Sequence, residues 1–384
     1  MRPTIVLTSA VSWSGVTARP HHFARLLAAR GWPVLFVDAP VTLLGPVKNP
    51  SLRPLLLPKP VVRDISVAGA NGWLRVLSPC AQLPFGNMWR WVNRLNQRWL
   101  AYFIRVAAPG PYVLLATLPG NVDLIPRLRP LAVLYDCVDF HAEFPGFVRP
   151  ETVNQMEQEL VALSRAVFAT ADALYERMAA WHGSVTLLPN AAETEHFAQT
   201  LTSPVHPALA AIPEPRVAFV GGIGGWIDLD FIRVMAQARP HVHFVMIGPV
   251  ETDTSALQRC ANVHFVGRQP YAELPQWLAG CQAALVAFKR NALAQSVNPV
   301  KVYEYLAAGR EVIATPIREV VKLRDLVWLA EDGQAAVAAL DRILAGERKV
   351  TETARQAFVR AHTWSARVDR LEEALLSALP SRWR

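Results

Sequence analysis

The chain has 384 residues, 52% of them hydrophobic and 18% charged, which is enough apolar material for two or three compact units and excludes both a small binding module and a disordered chain. Lys and Arg outnumber Asp and Glu by 39 to 31, and the formal net charge of +8 draws the protein toward anions such as phosphate groups, acidic lipid or nucleic acid. Cys80, Cys137, Cys260 and Cys281 lie far apart, with no C-x-x-C pair and no His at metal-ligand spacing, so neither a disulfide framework nor a zinc site is expected and a reducing compartment fits.

The apolar opening from Thr4 to Ser12 is broken by hydroxyl residues and reads as a first strand, Thr4–Thr8, rather than a signal peptide. Further strands are expected at Val34–Asp38, Trp73–Leu77, Tyr112–Ala116, Ala132–Asp136, Val167–Thr170 and Val185–Leu188. The stretch from Gln199 to Pro215, punctuated by Pro204, Pro207, Pro213 and Pro215, reads as a linker. Strands then resume at Arg216–Val220, His243–Ile247, Val263–Val266, Ala283–Ala287, Glu311–Ala314 and Val327–Ala330, and two helices, Gly333–Gly346 and roughly Ser365–Leu379, close the chain. Apolar β-branched runs alternating with helical patterns imply βα units around two parallel sheets. The expected organisation is an N-terminal domain over 1–200, a linker over 201–215, a second domain over 216–364 and a terminal helix over 365–384 that crosses back. No stretch reaches the ~18 consecutive apolar residues of a spanning helix, so a soluble or peripheral protein is expected.

Ligands of open parallel sheets gather at the carboxyl ends of the strands, and the candidate residues fall there. In Asn298-Pro299-Val300-Lys301-Val302-Tyr303-Glu304, Pro299 suits a helix start, and Lys301 and Glu304 share one face three residues apart. Phosphate at the helix N-terminus, with Lys301 adding charge and Glu304 accepting from ribose hydroxyls, is one reading; a capped surface helix with an ion pair is the other. Gly222 and Gly224, in the glycine cluster after Val220, are placed to let backbone N–H groups approach a diphosphate, or simply to make a tight turn. Lys289 follows another strand at the same edge. Asp136, Asp139 and His141 gather at the edge of the first sheet, where they would bind or deprotonate a hydroxyl or else cap a turn. Between Met88 and Arg105, the arginines Arg90, Arg94 and Arg98 share one face, while Trp91, Val92, Leu95, Trp99 and Tyr102 or Phe103 line another. That pattern suits an anionic membrane surface, and the alternative is a helix whose aromatic stripe packs on the sheet. No nucleic-acid-binding module is visible.

Taken in order, the 298–309 segment, the stretch from Trp13 through Arg19 to Gly31, Tyr135–Gly146, Leu188-Pro189-Asn190-Ala191, Val263–Arg268 and Thr363-Trp364-Ser365 resemble GT-B glycosyltransferases. The likeness is to the retaining family-4 type, and within it to the subgroup of surface-polysaccharide and teichuronic-acid assembly. It implies two Rossmann-like domains facing an interdomain cleft, the first holding the acceptor and the second a nucleotide-sugar donor. It further implies hexosyl transfer without cofactor or metal, with a glycan or lipid-linked acceptor, in the cytoplasm or on the inner face of the membrane. By resemblance Asn298, Lys301, Glu304 and Arg268 join Gly222, Gly224 and Lys289 as donor-binding residues. Gly15 and Arg19 become acceptor-binding, and Asp136, Asp139 and His141 catalytic. The chain departs from the family pattern at Ser296, where a second glutamate is usual, and in the glycine stretch that replaces an Arg and Lys pair. A sugar-nucleotide epimerase of the same fold, or a catalytically silent module binding glycan or membrane, are the competing functions.

Overall fold

Runs of buried aliphatic residues form the strands. In the computed structural model, which describes residues 2–48, 52, 53, 56, 59–144 and 146–383, they assemble two separate sheets; Met1 and Pro145, parts of segments read above, lie outside the described residues. The chain divides into two compact units, Met1–Pro189 with Arg367–Arg384, and Asn190–Ala366.

The first unit contains β1 (Thr4–Thr8), β2 (Val34–Val37), β3 (Val61–Ile65), β4 (Leu74–Ser78), β5 (Tyr112–Ala116), β6 (Ala132–Cys137), β7 (Ala166–Ala169) and β8 (Val185–Leu187), in the order β3-β4-β2-β1-β5-β6-β7-β8. Every residue of β1, β2, β5, β6 and β7 is buried, because helices cover both faces of a parallel sheet; this is why these strands read as unbroken apolar runs. Sequence reading missed β3. Its Val-Val-Arg-Asp-Ile sequence is mostly exposed, and it pairs antiparallel to β4 at the sheet's edge, where charged side chains protect the open strand.

In the second unit β9 (Arg216–Val220), β10 (His243–Ile247), β11 (Val263–Gly267), β12 (Ala283–Val286), β13 (Glu311–Ala314) and β14 (Trp328–Leu329) are all parallel, in the order β11-β10-β9-β12-β13-β14. One hydrophobic cluster packs on each face of this sheet. The helix Val300–Ala307 ends at Gly309, whose φ of +72° favours glycine and where a Cβ would stand 2.8 Å from Leu201. A helix at Glu352–Ala361 also escaped the sequence reading. Only Arg355 of it is buried, Phe358 and Val359 being partly buried against the core, so its apolar face is short, and Thr351 caps it by accepting from the Ala354 N–H.

Residues 367–384 rejoin the first unit, where Glu372 accepts from Trp32 Nε1 at 2.7 Å and from Arg30 Nη1 at 2.9 Å. Within the same unit Arg19 grips Asp136 through two parallel bonds, Nε to Oδ2 at 2.8 Å and Nη2 to Oδ1 at 2.9 Å, and also donates to the Leu188 carbonyl at 3.0 Å. Both side chains of the pair are almost fully buried. Replacing Asp136 by Ala strands a buried guanidinium and should lower unfolding free energy by about 3–5 kcal/mol. Urea denaturation measures it, and a loss below about 1 kcal/mol would show that the pair does not brace this unit.

Candidate functional site

Strand order reverses between β9 and β12 in the second sheet, and the loops leaving these two strands carry most of the expected donor-binding residues. After β9 the chain turns through Gly221–Gly225. The N–H groups of Gly221 and Ile223 bond to the carbonyls of Ile247 and Pro249, while those of Gly222 and Gly224 take no part in this backbone pairing. The Trp226 indole covers the turn so closely that a Cβ on Gly224 would lie 2.3 Å from the ring. After β12, Phe288 donates its N–H to Thr315 Oγ1 at 3.0 Å and Lys289 donates its N–H to the Trp226 carbonyl at 2.8 Å, so the exposed Lys289 side chain stands beside the glycine turn. Arg268 is exposed just beyond the end of β11.

The helix Val300–Ala307 is tied to the end of β9 by Tyr305, whose hydroxyl accepts from the Val220 N–H at 2.8 Å. Lys301 Nζ lies 2.5 Å from Glu304 Oε2, with the carboxylate buried and the ammonium partly exposed. Asn298 is a brace. Its Nδ2 donates to the Tyr303 hydroxyl and to Glu319, its Oδ1 accepts from the Asn190 N–H, and its carbonyl accepts from Asn190 Nδ2 at 2.7 Å. Ala192 meanwhile bonds to the His362 carbonyl and bridges Thr363, so segments far apart in sequence meet around this helix start. Ser296 is buried and donates to the carbonyl of Leu293 in its own turn.

The first-sheet candidates separate. Arg19 and Asp136 are paired with each other, and Arg19 also donates to the Leu188 carbonyl, so the expected acceptor-binding cation and one expected catalytic carboxylate are joined in a buried ion pair. A Cβ on Gly15 would stand 2.8 Å from the Ser12 carbonyl oxygen, so Gly15 serves a tight turn. Asp139 sits in the loop after β6, and burial of its carboxyl pushes its pKa up to about 7. His141 is buried in the short turn His141–Glu143, and desolvation, only partly offset by a hydrogen bond to the Thr117 backbone, lowers its pKa to about 4. It lines a cavity of about 440 Å³ that neither aspartate lines.

The Arg90–Ala107 helix corrects the expected faces. Arg90 is no surface cation: it binds Asp123 through two bonds and Glu159 through two more. Val92, Asn93, Asn96, Gln97, Leu100, Ala101 and Ile104 point inward, and Trp91, Leu95, Trp99, Tyr102 and Val106 point outward among Arg94, Arg98 and Arg105. Asn93, Asn96 and Gln97 line the cavity and were missed, although their i, i+3, i+4 spacing marks one face of a helix.

Residues 229–373 match a family model described as glycosyl transferase-like. A chain of Bacillus subtilis (strain 168) named as the teichuronic acid biosynthesis glycosyltransferase TuaH is 24% identical over 207 residues, 50% of this chain and 52% of the relative, about half the length of each. The UDP-forming α,α-trehalose-phosphate synthase of Burkholderia vietnamiensis superposes with a TM-score of 0.68 at 15% identity, covering 98% of this chain and 100% of that one. HepE of Anabaena, solved with UDP-glucose, gives 0.67 at 12% identity over 98% and 100% of the two chains. By these likenesses the chain has the GT-B fold of glycosyltransferases, with a glycosyl transferase-like segment at residues 229–373.

Proposed function

We propose that the chain is a glycosyltransferase that takes a nucleotide-diphosphate sugar on its second unit and a glycan or lipid-linked acceptor on its first, in cell-surface polysaccharide assembly. The observation that carries this reading is the Lys301 and Glu304 pair at the helix start beside the strand-order reversal. There the N–H groups of Gly222 and Gly224 and the cations Lys289 and Lys301 meet the diphosphate without a metal ion, and the Glu304 carboxylate accepts from the ribose hydroxyls. The UDP and UDP-glucose complexes of HepE support uracil as the base. The likeness to retaining enzymes supports transfer with retention. As the acceptor oxygen bonds to the anomeric carbon, the bond to the diphosphate breaks and the nucleoside diphosphate leaves.

Charge-assisted bonds of this kind are worth about 1.5–3 kcal/mol, so Glu304→Ala and Lys301→Ala, each checked to be folded by circular dichroism at the titration temperature, should weaken UDP binding by about tenfold to a hundredfold. Calorimetric titration measures it, and wild-type affinity in both variants removes the donor assignment.

Acceptor activation falls to Asp139, whose pKa of about 7 suits a general base, whereas the lowered pKa of His141 keeps its ring neutral. Only ionised Asp139 can take the proton, so kcat/KM should rise with pH through about 7 and level off above it. Asp139→Asn should abolish that limb; an unchanged profile assigns the base elsewhere.

Attachment to an anionic membrane surface rests on the outward face of the Arg90–Ala107 helix. Trp91 is 61%, Tyr102 63% and Val106 70% exposed, three arginines flank them and the helix contains no acidic residue. Among the described residues no helix is long and apolar enough to cross a membrane, so the contact would be interfacial. Each arginine contributes about 1 kcal/mol near anionic lipid. Cosedimentation with phosphatidylserine vesicles should be salt-sensitive and fall when Arg94, Arg98 and Arg105 become Gln or Trp91 and Trp99 become Ala. Equal sedimentation of both variants and wild type rules this face out.

A further inference from the structure

Strand order in the first sheet reverses between β1 and β5, and the 440 Å³ cavity opens there, lined by Thr8 and Ser9 from one loop and Leu118–Asn121 from the other. Two polar atoms in its wall are buried and without a hydrogen-bond partner among the described residues, His141 Nε2 and Gln97 Oε1. Their side chains are respectively 6% exposed in both cases, so bulk water does not serve them. The network fixes what each can do. Asn93 Nδ2 is spent on the Gly120 carbonyl and Asp123, so its Oδ1 faces Gln97 and takes the Gln97 amide N–H at 3.3 Å, leaving the Gln97 carbonyl oxygen for the cavity. Burial lowers the pKa of His141 and keeps its ring neutral, so its Nε2 offers either a lone pair or an N–H, according to the tautomer. Gln97 Oε1 therefore calls for a ligand that donates and His141 Nε2 for one that donates or accepts, and a hydroxyl does both.

The remaining amides hold the walls: Asn96 bonds both ways to the Leu83 backbone, and Asn121 Oδ1 accepts from Thr8 and from the Leu118 N–H. Among the described residues lining the cavity none is Lys or Arg, and the one carboxylate, Asp38, is held by the Trp13 N–H and Ser78. Phe85 and Phe147, whose rings meet edge to face at 4.9 Å, supply an apolar wall. Phe85 keeps a φ of +68°, a conformation bulky residues adopt where the surroundings impose it, as ligand clamps do.

We infer that this cavity is a subsite for an uncharged polyhydroxylated ring, a neutral sugar whose hydroxyls donate to Gln97 Oε1 and hydrogen-bond His141 Nε2 while its C–H face lies on the aromatic wall. Phosphorylated and uronic sugars are excluded, because their anionic oxygens only accept and no cation meets them. This deepens the glycosyltransferase reading by naming the acceptor class, and it rests on that reading only for calling the ligand an acceptor.

Saturation-transfer NMR on the full chain tests it with methyl α-glucoside and N-acetylglucosamine against glucose 6-phosphate and glucuronic acid, with UDP affinity measured on the same sample. The neutral sugars should bind at least about tenfold more tightly than the charged ones, a margin of about 1.4 kcal/mol. Gln97→Leu and His141→Phe should each weaken them by a similar factor without changing UDP affinity. Equal or tighter binding of the charged sugars, no binding of either neutral sugar, or neutral binding unaffected in both variants overturns the inference. The comparison of sugars needs only the wild-type chain, so a variant that fails to fold leaves it intact. Loss of UDP binding with neutral-sugar binding retained sinks the donor assignment and leaves this one standing.

Discussion

Where the order of strands in a parallel sheet reverses, the two loops beside the reversal must leave toward opposite faces, and the opening between them cannot be filled by the sheet itself. Each unit contains one such reversal, β1 with β5 and β9 with β12. Each opening is finished by different chemistry. In the second unit it is edged by glycine N–H groups, lysines and one buried carboxylate, a set that suits a charged diphosphate and its ribose. In the first it is edged by amides, a neutral imidazole and phenylalanines, a set that suits hydroxyls. The difference follows from which side chains the loops bring.

The Arg90–Ala107 helix shows how one element serves two surfaces. An ordinary surface helix buries its aromatics and exposes its amides. Here Asn93, Asn96 and Gln97 are buried, and Trp91, Trp99 and Tyr102 face outward. Burying amides is costly unless they are bonded, and all three are, through Gly120, Leu83 and one another. Among the described residues, the buried side-chain acceptor left over on this helix is Gln97 Oε1, in the wall of the cavity. Arg90 is held by Asp123 and Glu159, which anchors the helix start beside the same loop.

Much of the fold was legible because strands buried on both faces write themselves as apolar runs. β1, β5, β9, β10 and β13 lie where the runs place them, to the residue. Among the elements that escaped were the edge strand β3 and the helix Glu352–Ala361, both mostly exposed and so with little hydrophobic pattern. Local spacing likewise revealed Lys301 and Glu304 as neighbours, since three residues on a helix fix them on one face. The grip of Arg19 on Asp136 spans 117 positions and depends on strand order, which no local pattern encodes. The amide face at 93–97 was written in the periodicity but masked by the arginines and tryptophans interleaved with it. That Gln97 Oε1 lacks a partner among the described residues depends on how Asn93 is oriented by Gly120 and Asp123, a fact of packing alone.

The central claim is that a nucleotide diphosphate sits at the reversal of the second sheet. Hydrogen–deuterium exchange of the full chain with and without UDP reads this directly, because bound phosphate slows exchange of the amides it contacts. The account predicts protection confined to the glycine turn at 221–226, the loop at 288–290 and the helix start at 298–304. Protection absent from all three segments, or appearing instead around 117–121 in the first unit, would contradict it.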